Sequence, residues 1–248
     1  MNSDPHLDLL FAATKISPIP CVLEGGYRRV QSRDEVDASL ASAYTTLKKV
    51  LPLESLHYIG PPNIQGIYGL VDDLKQSQDK AVPFLQRICP WISEPVSPAR
   101  KLKVVTDVLE AARECRIRPF SLVVCAAMSC LHDNVPNGTN RKVTKPGRAV
   151  LKPSAKYTDK DAYGALSDLI FLELLSMMAG MLADERPVLY THDLGLAALW
   201  SSLNSRNVRR NERGTTTVDF TLTQGLLPEL DADGRGALCQ RMKDSAAS

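Results

Sequence analysis

Three acids close together in sequence offer the chemistry this chain could do. Asp168 and Glu173 interrupt an otherwise apolar stretch, and Asp193 closes the run Val188-Leu-Tyr-Thr-His-Asp193. A carboxylate buried without a partner costs roughly several kcal/mol unless it is hydrogen-bonded, ion-paired, neutral or metal-bound. On a helix, Asp161, Ala165 and Asp168 share one face, and Gly164 beside them leaves room near the two acids. Asp193 at the end of a strand, opening the next helix, stands where open α/β sheets place ligands and catalytic groups. If it faces Asp161 and Asp168, three carboxylates converge on a hard divalent cation, Mg²⁺ or Mn²⁺, which takes oxygen ligands. Such an ion generates hydroxide and stabilises charge developing on a phosphodiester. The expected metal ligands are therefore Asp161, Asp168 and Asp193, and the expected catalytic acids Asp168, Glu173 and Asp193.

Each acid also has a structural use. Asp159 or Asp161 can cap the helix that follows, Asp193 can cap its own helix, and Glu173 can pair with an arginine. His192 beside Asp193, and the pair His132-Asp133, fit either a hydrogen-bonded structural role or a ligand role. Neither a P-loop, a GxGxxG nor a serine-nucleophile motif occurs, which leaves NTP hydrolysis, dinucleotide chemistry and acyl transfer without support.

Charge is balanced overall at +2 but unevenly spread. From Arg141 to Lys160 seven basic residues (Arg141, Lys142, Lys145, Arg148, Lys152, Lys156, Lys160) face one acid, Asp159. A second group, Arg206, Arg209, Arg210 and Arg213, is broken only by Glu212. Basic segments beside an acidic centre suit a polyanion, so Lys145, Arg148, Lys152, Arg209 and Arg210 are expected to contact nucleic acid; solvated loops are the alternative.

The elements that must position these residues can be read from periodicity. Ser32 to Glu35 has the form of a capping box, followed by Val36, Leu40, Tyr44, Leu47 and Val50, with Pro52 as the stop. Ile64 to Leu74 and Lys80 to Trp91 predict two short helices. Ser97-Pro98 opens another, with an apolar stripe of Leu102, Val105, Val108, Leu109 and Ala112. Phe120 to Leu131 is apolar almost throughout and fits a buried helix or a strand, its length of about twelve favouring the helix. The helix from Asp161 to about Leu182 is apolar on nearly every face. Val188 to Tyr190 predicts a buried strand, Leu194 to Trp200 a helix, and Thr215 to Thr221 a strand. Cys21 to Gln31 fits a hairpin around Gly25-Gly26, Leu56 to Ile59 a brief strand, and Asp231 to Ser248 a weak helix or tail.

The fold class expected is a helix-rich α/β with a small, mostly parallel sheet flanked by helices. It is taken as a single domain over 1–248, with a variable N-terminal region (about 1–95) and a basic loop (133–158). The six cysteines show no zinc spacing and fit reduced buried thiols. With no basic signal region, and no apolar run of the ~20 residues a bilayer needs, a cytoplasmic location without a membrane partner is expected.

Asp168 on a helix, followed by Val188-Leu-Tyr-Thr191-His-Asp193-Leu-Gly-Leu-Ala197, resembles the second half of a PIN-like ribonuclease domain over residues 159 to 222. The resemblance implies cleavage of RNA with one or two Mg²⁺ or Mn²⁺ ions, held by the helix acid and the Thr-x-Asp. The family's opening strand, ending in Asp before Thr or Ser, has no clear counterpart; Asp8 and Glu24 are the only early candidates. Glu173 fits the family's spacing to Asp193 better than Asp168 does. The other course is an inert member of the same fold that binds RNA, a protein partner or an inhibitor.

Overall fold

The structure is a computed structural model describing residues 16–19, 22, 29, 31–51, 56, 61–134, 145–181, 188–189, 191–204, 206–210 and 216–247. Its helices are α1 (Arg33–Leu47), α2 (Pro61–Ile92), α3 (Pro98–Glu114), α4 (Leu122–Leu131), α5 (Pro146–Leu151), α6 (Asp159–Met181), α7 (Leu194–Leu203) and α8 (Ala232–Ala247). Strands β1 (Arg206–Arg210) and β2 (Thr216–Asp219) lie between α7 and α8. The chain divides into two compact units, Met1–Ser77 and Gln78–Ser248.

In the first unit the capping box forms as its sequence dictates. Ser32 Oγ accepts from the Glu35 amide, and the Ser32 amide donates to Glu35 Oε2 at 2.8 Å. Arg29 grips the same carboxylate at 2.6 and 2.9 Å, and with the Ser32 amide it draws the Glu35 carboxyl down to about 2. Val36, Leu40 and Tyr44 fall on one face and pack with Val22, Ile67 and Val71. Val50, beyond the end of α1, is exposed. The Leu56 segment contributes one parallel bridge, Leu56 to Ile16. The turn at Gly25-Gly26, the acids Asp8 and Glu24, and residues 57–59 lie outside the described residues.

Helix α2 is one continuous element rather than two. Its polar middle, Lys75 to Asp79, contains neither Gly nor Pro to break the ladder, and Pro83 and Pro90 are both accommodated within the helix. Proline there removes one i→i−4 bond and crowds the preceding turn, so continuity must come from packing. Phe84, Leu85, Ile88 and Ile92 provide it, all fully buried in the second unit.

The centre of that second unit is α4, all ten of whose residues are buried. Its small side chains let α5 approach closely. A Cβ added at Gly147 would sit 2.2 Å from the Ala126 carbonyl oxygen and 2.7 Å from Ser129 Cβ. Ser129 accepts from the Gly147 amide (3.2 Å) and donates to the Leu226 carbonyl (2.8 Å), so its buried hydroxyl is satisfied on both sides. Helix α7 reaches α5 by a second glycine contact, because a Cβ on Gly195 would lie 2.5 Å from Ala149 Cβ. Helix α5 thus forms within the segment expected to be a basic loop.

The expected α/β fold with a mostly parallel sheet is overturned: the protein is mostly helical. The one sheet among the described residues is the antiparallel ribbon β1–β2, paired through Arg206 and Asp219, Arg209 and Thr217, and Arg210 and Thr216. Val188 and Leu189 are not in a strand, and Tyr190 lies outside the described residues. A strand inside a parallel sheet is covered on both faces, whereas Val188 is 65% exposed. Three apolar residues in a row are too short a signal to specify a strand. Helix α6 forms almost as expected. By length and composition alone its Asp159–Ala179 stretch would suffice to cross a membrane. Within this unit Ala162, Leu169 and Leu172 are buried in the helical core.

Candidate functional site

Two of the four acids singled out from sequence, Asp161 and Asp193, serve helix ends. Asp161 stands at the third position of α6 and closes a reciprocal cap with Thr158. Its Oδ2 accepts from the Thr158 amide at 2.9 Å and from Thr158 Oγ1 at 2.7 Å, and its own amide donates to Thr158 Oγ1 at 3.3 Å. Those donors, the backbone amide foremost, hold the Asp161 carboxyl below its ordinary range. Asp193 is the N-cap of α7, with φ −77° and ψ 99°. Its Oδ1 accepts from the Leu196 amide at 2.9 Å, and its amide donates to Thr191 Oγ1 at 3.0 Å. Each cap satisfies an amide that would otherwise be orphaned in the first turn.

Asp168 and Glu173 are both half-buried on α6. Asp161 and Asp168 do share a face, but two turns apart, an axial rise of about 10 Å. Glu173 points elsewhere, because five residues turn a helix by about 140° from Asp168. Burial alone pushes the Glu173 carboxyl upward, and no salt bridge to it is seen among the described residues. Among the described residues no three His, Cys, Asp or Glu side chains gather as a group able to hold a metal ion.

The basic segment separates into two kinds of residue. Arg148 is directed inward. Its Nε donates to Asp133 Oδ2 at 2.7 Å, Nη1 to the Ser93 carbonyl at 2.8 Å, and Nη2 to the Cys130 carbonyl at 3.4 Å. It therefore ties the ends of α2 and α4 to α5 and satisfies a carbonyl in the last turn of α4. Lys145 Nζ is 3.4 Å from the same Asp133 oxygen, and Asp133 itself is only 2% exposed. Arg148 thus has a structural post that occupies most of its donors. Lys152, by contrast, is exposed and ends α5 in the left-handed conformation (φ 46°). Lys156 and Lys160 are exposed as well. Arg209 and Arg210 lie on β1, but their side chains, like Arg141, Lys142 and Arg213, are outside the described residues.

The most unusual polar group in the second unit lies at the end of α4, where the sequence offered His132 but neither Lys101 nor Glu229. Lys101 is 7% exposed and forms an ion pair with Glu229. The Glu229 amide also donates to the His132 carbonyl at 3.3 Å. His132 is 6% exposed, and its Nδ1 has no hydrogen-bond partner. Burial, reinforced by the Lys101 ammonium, pushes the imidazole down to about 4, so it is neutral near pH 7. An imidazole pushed that low is a weak base at neutral pH, and so little exposure leaves a substrate no approach. The signal for Lys101 was present in the sequence: positions 101, 104, 105 and 108 have helical spacing and are buried together. Leu102, assigned to that stripe by its hydrophobicity, is 56% exposed.

No family model, characterised protein or solved structure matches this chain.

Proposed function

We propose that this chain is a helical RNA-binding module that holds its ligand without cutting it. One contrast supports this. Asp161 and Asp193, two of the three acids expected to hold a metal, cap helices, while Lys152, Lys156 and Lys160 stand exposed. No salt bridge among the described residues engages these three lysines. A solvated ammonium that meets a phosphate releases condensed counterions, so affinity for RNA should fall steeply with salt.

The test is fluorescence anisotropy of labelled single-stranded RNA across a salt series, with wild type and a Lys152→Ala/Lys156→Ala/Lys160→Ala variant. The variant should bind more weakly, and its log–log salt slope should shrink by about 2, since each lost single-strand contact removes roughly 0.7. An unchanged slope sinks the assignment of these lysines, and no RNA binding by wild type sinks the function. RNA recovered intact after incubation with Mn²⁺ is the expected outcome. Mn²⁺-dependent cleavage lost in Asp193→Asn, with RNA binding retained, would instead establish a metal ribonuclease that depends on Asp193.

A further inference from the structure

No further inference is drawn: the strongest candidate, the apolar surface that Val188 and Leu194 expose on either side of the Thr191–Asp193 turn, carries nothing because nothing in the structure shows what covers it.

Discussion

Replacing Arg148 by Met separates a structural arginine from a phosphate contact. In the fold Arg148 neutralises Asp133, which is almost wholly buried, and donates to the carbonyls of Ser93 and Cys130. Methionine keeps much of the apolar stem but removes every donor. Asp133 is then left with Lys145 at 3.4 Å, on a side chain that is 42% exposed. Breaking a buried pair from one side costs about 3 to 5 kcal/mol, because a desolvated charge is stranded. Against a typical total stability of about 5 to 15 kcal/mol, that is a large fraction. Urea unfolding followed by tryptophan fluorescence is the assay. Both tryptophans, Trp91 and Trp200, belong to the Gln78–Ser248 unit, so the signal reports the unit that contains the pair. The midpoint should drop sharply with little change in slope. Asp133→Leu combined with Arg148→Met should recover much of the loss, since no charge is then buried alone. Arg148→Met within about 1 kcal/mol of wild type, with RNA affinity reduced, would refute this account and return Arg148 to the binding surface.

Three further outcomes are expected. Asp193→Ala should lose about 1 kcal/mol by uncapping α7, whereas Asp193→Asn should stay near wild type because Asn caps almost as well; equal losses in thermal unfolding would contradict the capping role. The depressed His132 value favours the neutral imidazole in the folded state. Its contribution is complete above the unfolded value of 6.5 and is lost as pH falls toward about 4. Stability should therefore decline over that window by up to about 3 kcal/mol, and His132→Leu should flatten the decline; an identical pH profile in the variant would be the disproof. Gly147→Ala lowers the entropy of the unfolded chain, a gain of about 0.4 to 1 kcal/mol, but drives a methyl into the Ala126 carbonyl oxygen, a backbone atom 2.2 Å away. Overpacking costs typically 1 to 3 kcal/mol and sometimes more, so calorimetry should record a lower melting temperature, and a rise would mean that α4 and α5 are not in contact there.

The sequence by itself determined most of the helices and their caps, because these depend on neighbours within a few residues. The Ser32–Glu35 box, Pro98 opening α3, the largely apolar α4 and the acids at the start of α6 were legible, and each helix formed, although Ser97 makes no side-chain cap bond to α3. Asp193 was legible too, in both of its uses, as a helix cap and as a metal ligand. The structure shows the cap, with the Leu196 amide 2.9 Å from its carboxylate. Tertiary packing decided everything that depends on a distant partner. Val188 and Leu189 did not become a strand because a strand needs a second backbone to pair with, and three apolar residues cannot specify one. Arg148 turned inward because Asp133, Ser93 and Cys130, far from it in sequence or on other elements, converge on its guanidinium. Lys101 was hidden for the same reason, with Glu229 lying 128 residues away. A charged residue is read from sequence as exposed, since burying it alone is prohibitive; only the fold supplies the opposite charge that makes burial tolerable.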